Sequence, residues 1–204
     1  MEERDSSEII KILAVANKLR LQELITYIQS FLIEKRSNWM EENFNLVYQT
    51  SFEDNSFSAL HKYCTDLMSK EPEKIFNSPK FTSIPENVLV SLIQNDDHRM
   101  GEIQVWHHVL KWGLAQNPVL PSNPASFSND DFEVLKVTLQ ECIPFIKFDN
   151  LTAKEFSDNV FSYREILPKE LFDNLLKLFL DCDYKPRKIN SKIITFQHVE
   201  LITK

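Results

Sequence analysis

Apolar residues at helical spacing run through nearly the whole chain, and that pattern leaves room for little except an all-α fold. In EIIKILAVANKLRLQELITYIQSFLIEKR, Glu8 to Arg36, the apolar residues Ile9, Leu13 and Ala16 and then Leu21, Leu24, Ile28, Phe31 and Leu32 recur at three- and four-residue steps. The polar break near Asn17 and Lys18 predicts two consecutive helices. A third helix is expected over 38–50, where Asn38 and Glu41 can cap it. A fourth is expected over 56–69, with Phe57, Leu60, Cys64, Leu67 and Met68 on one side. Ser83, Pro85 and Glu86 have the form of a helix start, continued by Val88, Leu89, Leu92 and Ile93.

Further along, the spacing predicts helices over 101–116, from Ser128 with Asp131 up to Pro144, over 152–160, and over 168–181. Phe132, Leu135, Leu139 and Cys142 mark the second of these, and Leu171, Phe172, Leu175, Leu178 and Phe179 the last. Asn117 to Ser128, NPVLPSNPASFS, holds three prolines among small polar residues and reads as an exposed loop, long enough to be an insertion. Only Ser191 to Phe196, SKIITF, has strand character, and it follows a basic linker containing Lys185, Arg187 and Lys188. Successive helix pairs suggest stacked antiparallel helical hairpins.

Composition narrows the chemistry. The 204 residues include only 2 glycines, against roughly 14 at an average usage of about 7%. Gly101 and Gly113 stand apart, so phosphate-cradling loops of the Walker or Rossmann kind are excluded. A net charge of -7 disfavours a phosphate backbone as partner, and nucleic acid is not expected. No apolar run approaches the ~18 residues of a membrane span, and MEERDSSEII lacks the features of a secretory leader. Cys64, Cys142 and Cys182 are odd in number and widely spaced, which reads as reduced thiols in a cytoplasmic protein. Asn150-Leu151-Thr152 has the form of a glycosylation acceptor, but Thr152 with Glu155 also makes a helix capping box, the favoured reading.

The most arresting stretch is EIQVWHHVLKWG, Glu102 to Gly113, with two histidines between two tryptophans. Adjacent helical residues diverge by about 100°, so His107 and His108 cannot share a coordination sphere as an i, i+4 pair can. Val105, Trp106, Val109, Trp112 and Gly113 instead form one broad inward face. Both histidines read as structural residues bordering it, with a pH-sensing role for His108 as the alternative. Gly113 costs roughly 1 kcal/mol inside a helix relative to alanine, and its natural explanation is close approach by another helix. His61, His98 and His198 stand singly, and no Ser-His-Asp or Cys-His signature is present. No catalytic, cofactor-binding or metal-binding residue is assigned, and the chain is not expected to be an enzyme.

Several motifs nevertheless carry a family resemblance. Glu102 followed by VWHHVLKW, and the later LQECIPFIKF, resemble the BACK domain, the helical module that follows the BTB domain in BTB-Kelch and related proteins. Val109 to Trp112 matches its aliphatic-x-x-Trp pattern, Glu102 its preceding glutamate, and Ile143, Pro144 and Phe145 its proline-broken helix. The family-motif and core residues are thus Glu102, Val105, Trp106, Val109, Trp112 and Pro144. ILAVANKLRLQELITYIQSFL is similar to the closing helices of a BTB domain, and INSKIITFQHVELITK resembles the first residues of a TLDc domain.

The resemblance implies a division into residues 1–35 as the last BTB helices, 36–182 as a BACK domain with the Pro-rich loop at 117–128, 183–190 as a basic linker, and 191–204 as the start of a following domain. It also implies a non-catalytic interaction scaffold, part of a substrate adaptor for a cullin-based E3 ubiquitin ligase, with protein partners including a cullin. A structural spacer between a BTB dimerisation domain and a C-terminal TLDc domain is the alternative. Most of a BTB domain is missing from this sequence, which is expected to be part of a longer protein, and dimerisation is expected only with that portion present.

Overall fold

A computed structural model describes residues 6–95 and 100–180. Among them the chain is all-α, with no strand. It divides into two compact units, Met1–Arg99 and Met100–Lys204, described in turn below. Cys182, His98, His198, the basic linker, the SKIITF segment and the TLDc-like tail lie outside the described residues.

The first unit begins with α1 (Ser6–Lys18) and α2 (Gln22–Lys35), which pack against each other. α1 ends in a Schellman turn: the Leu21 N–H donates to the Ala16 carbonyl at 3.0 Å and the Arg20 N–H to that of Asn17 at 2.9 Å. This geometry requires a left-handed residue, and Arg20 supplies it at φ 57 where glycine is the usual choice. Ile9, Leu13 and Ala16 of α1 are buried, as are Ile25, Ile28 and Leu32 of α2. Leu21 and Leu24, which sequence spacing places on the core face, are instead exposed. The apolar residues of α2 form two adjacent stripes, and only the one through Ile25, Ile28 and Leu32 is covered.

The expected helix over 38–50 is two helices, α3 (Ser37–Glu42) and α4 (Phe44–Ser51). The Asn43 side-chain amide and main-chain N–H both donate to the Trp39 carbonyl at 2.9 Å, closing the first helix there. Asn38 and Glu41 do not cap, because α3 starts at Ser37 and Glu41 accepts from the Lys74 ammonium at 3.0 Å. A 3-10 turn (Asn55–Phe57) leads into α5 (Ser58–Lys70). Its start is tied to α2 by the buried Gln29, which donates to the Ser56 carbonyl at 2.9 Å and accepts from the Leu60 N–H at 3.2 Å. The short α6 (Pro72–Phe76), which the sequence reading did not assign although Pro72 and Glu73 open it, and α7 (Glu86–Ile93) complete this unit.

In the second unit, α8 (Glu102–Gln116) buries Val105, Trp106, Val109, Leu110, Trp112 and Gly113. The Pro-rich stretch 117–128 contains no buried residue and one 3-10 turn, Pro124–Ser126, while Phe127 at its end packs on Phe132 with ring centroids 5.1 Å apart. α9 (Asn129–Leu139) opens with the capping box read from sequence, in which Ser128 Oγ accepts from the Asp131 N–H at 3.2 Å and the Ser128 N–H donates to the Asp131 carboxylate at 2.8 Å. α9 packs on α8 at Gly113, where an added Cβ would lie 2.7 Å from Leu139 Cδ2, so the glycine marks a close helix approach.

The chain then runs through 3-10 turns at Ile143–Phe145 and Phe148–Asn150. Pro144 therefore does not itself break a helix: α9 has already ended at Leu139, and the proline sits early in the following turn, where a missing N–H costs little. α10 (Ala153–Glu155), capped by Thr152 with Glu155, continues into a π turn at Phe156–Val160 and a 3-10 stretch at Phe161–Ile166. The last described helix is α11 (Lys169–Leu180), of which Leu175 alone is fully buried while Leu171, Phe172, Leu178 and Phe179 are half-buried.

Candidate interaction surface

α8 places five of the six residues singled out in the sequence. Val105, Trp106 and Val109 have no solvent exposure and Trp112 has 5%. The Trp106 ring meets Phe148 edge-on at 5.2 Å and Tyr163 at 6.0 Å, and its indole nitrogen donates to the Asn159 carbonyl at 3.2 Å. Glu102, in the first turn of α8, accepts from the Lys147 N–H at 3.2 Å and so ties the helix start to the turn region that carries Pro144. These residues are brought together as a packed core, not as the lining of a cavity.

The two histidines diverge as helical geometry requires. Nε2 of the exposed His107 lies 3.0 Å from Asn159 Oδ1, whereas His108 is half-buried and its pKa falls below 6.5, chiefly through burial and then through Lys111 and His107. Among the described residues no group of three His, Cys, Asp or Glu side chains could hold a metal ion. Cys64 and Cys142 are buried and form no disulfide with each other, and burial pushes the Cys64 thiol up to about 12, far from nucleophilic. His61 packs on Phe52 in a tilted arrangement with ring centroids 4.4 Å apart. No helix of the described residues is long and apolar enough to cross a membrane.

Each unit carries a shallow depression among its described residues. The first, about 280 Å³, is lined by Tyr48, Phe52, Thr65, Met68, Ser69, Ser91 and Asn95. The second, about 130 Å³, lies among α9 residues, Ile143, Ile166 and Pro168. Each is below the usual size of a small-molecule site, roughly 300–1,000 Å³, and the acid and base that line the second, Glu133 and Lys136, pair with each other at 3.2 Å.

Exposed apolar side chains are the more prominent feature. Val15, Leu19, Leu21, Leu24 and Tyr27 are each between 38% and 63% exposed, in the stretch that spans the end of α1, the turn and the first half of α2. Sequence reasoning missed this patch, although the second apolar stripe of α2, more than one face can bury, was its signal.

Residues 46–121 match the family model described as BACK, BTB And C-terminal Kelch. The matched stretch runs from α4 through α8 and includes Glu102, Val105, Trp106, Val109 and Trp112, but not Pro144. It reaches neither the BTB-like start nor the TLDc-like tail. No curated protein and no solved structure matches the chain.

Proposed function

We propose that this chain is a non-catalytic protein-interaction scaffold, the BACK portion of a BTB-BACK substrate adaptor for a cullin-based E3 ubiquitin ligase. The observation that carries the reading is the BACK match over residues 46–121. The placement of the motif residues agrees with it. A family signature spent on a packed core supports a rigid helical surface, and surfaces of that kind act by contact with other proteins.

In this reading residues 1–35 close a BTB domain, 36–182 form the BACK domain, 183–190 link it to a following domain that starts at 191, and the protein works in the cytoplasm. Its partners are proteins, a cullin among them, and neither nucleic acid nor membrane. The family-motif residues Glu102, Val105, Trp106, Val109, Trp112 and Pro144 serve the fold of the adaptor rather than its contact face.

Titration calorimetry of the chain against the N-terminal domain of a cullin, with light scattering to fix stoichiometry, tests it. Saturable binding, even at micromolar strength, supports the adaptor role. A folded monomer that binds nothing contradicts that role for this stretch and favours a spacer between flanking domains.

A further inference from the structure

We infer that the Pro-rich loop 117–128 is a recognition segment for a partner domain whose aromatic-lined groove binds a polyproline II helix. The inference rests on neither the BACK match nor the adaptor reading, which leave this stretch unused. Pro118, Pro121 and Pro124 recur at every third residue of NPVLPSNP. Polyproline II has about three residues per turn, so in that conformation the three prolines fall on one edge. Each is preceded by its own partner, giving the dipeptides Asn117-Pro118, Leu120-Pro121 and Asn123-Pro124. Pro-x-x-Pro spacing is what aromatic-lined grooves read. No charged residue lies between Asn117 and Asn129, so rings and main-chain carbonyls make the contact rather than ion pairs.

The structure holds the loop by its ends and displays what lies between. At the start, the Asn117 side-chain amide donates to the Gly113 carbonyl and to Thr138 Oγ1, each at 2.9 Å. At the end, Phe127 packs on Phe132 and, with ring centroids 6.4 Å apart, on Tyr163. Between these anchors no residue is buried, and Val119 at 89% is more exposed than any other large apolar side chain among the described residues. The hydrogen bonds that residues 118–126 make among the described residues all close within the loop. The Leu120 N–H donates to the Asn117 carbonyl at 3.0 Å, and the Ala125 and Ser126 N–H groups donate to Asn123. Polyproline II over 117–123 therefore has to break one main-chain hydrogen bond, that of the Asn117–Leu120 turn. Sequence favours the change: a residue before proline avoids the helical region, and proline holds φ at about −65°, close to the polyproline II value of about −75°. Asn123, before Pro124, is already extended at φ −106 and ψ 119.

The probes are purified SH3 and WW domains, each beside a variant that lacks its groove tryptophan. Calorimetry and amide chemical shifts of the full chain read the binding. At least one of these domains should bind saturably, with shifts centred on residues 117–124, and its groove variant should not bind. Pro118→Ala with Pro121→Ala should lower the affinity at least about tenfold. Pro121→Ser with Ser122→Pro keeps the number of prolines but destroys their three-residue spacing, and it should lose as much. Because the stretch holds no buried residue, both pairs should keep the parent's helical circular dichroism and melting temperature. Binding by none of the domains, shifts centred elsewhere, or unchanged affinity in the respaced pair would overturn the assignment and make the loop a passive insertion.

Discussion

The indole nitrogen of Trp106 and the main-chain oxygen of Asn159 are joined by a 3.2 Å hydrogen bond across 53 positions of sequence. This bond fixes the largest fully buried side chain among the described residues to the π turn, and the neighbouring His107 bonds the same asparagine through its side chain. One helix face thus holds the far half of the second unit in place.

Removing that ring should be costly. Trp106→Ala is expected to lose about 3–5 kcal/mol of stability through lost burial and a cavity. Trp106→Phe keeps most of the packing and leaves the Asn159 carbonyl short of a donor, at about 1–3 kcal/mol. His107→Ala, at an exposed position, should cost less than about 1 kcal/mol. Urea unfolding of the three variants checks the order, and equal midpoints for Trp106→Ala and His107→Ala would contradict the assignment of faces.

Gly113→Ala sets helix propensity against packing. Alanine would gain roughly 1 kcal/mol of propensity, but its Cβ would meet Leu139 and Leu135 at 2.7 to 3.1 Å in a fully buried contact. Overpacking of this kind costs about 1–3 kcal/mol, so the variant should be less stable than the parent in thermal or chemical melts.

Asp54 should make the fold acid-sensitive. Its carboxylate accepts from Ser56 Oγ at 2.6 Å and from the Ser56 N–H at 2.8 Å, which lowers its pKa from 3.8 to about 2. A folded pKa below the unfolded one means stability that is fully present above pH 3.8 and is lost as pH falls through about 2. NMR titration of the carboxyl should give the low value, and Asp54→Asn should flatten the stability profile in that window.

Cys64 should be inert in the folded protein. The thiol is buried and its pKa stands near 12, so in a Cys182→Ser background neither Cys64 nor the buried Cys142 should react with a thiol reagent until the chain unfolds. Mass spectrometry of labelled native and urea-treated samples reads this directly.

Much of the helical order was legible because it is local. Ser128 with Asp131 and Thr152 with Glu155 announce helix starts through contacts three residues apart, and Gly113 announced a close approach. What stayed hidden depends on distant partners. Glu41 reads as a capping residue but is taken by Lys74, 33 positions away, and Glu102 reads as a motif letter while its contact is the Lys147 N–H, 45 positions away. Periodicity likewise showed that α2 carries many apolar residues, yet which of its two stripes is covered depends on what packs there; Leu24 is exposed and Ile25 is buried.

Hydrogen exchange of the full chain, alone and with a cullin N-terminal domain at saturating concentration, tests the interaction-scaffold reading most directly. The account predicts new protection confined to exposed helical surface, with the amides of Val105 to Trp112 equally slow in both states. No new protection anywhere in the chain, or exchange in α8 that changes as that of a binding face would, would contradict it.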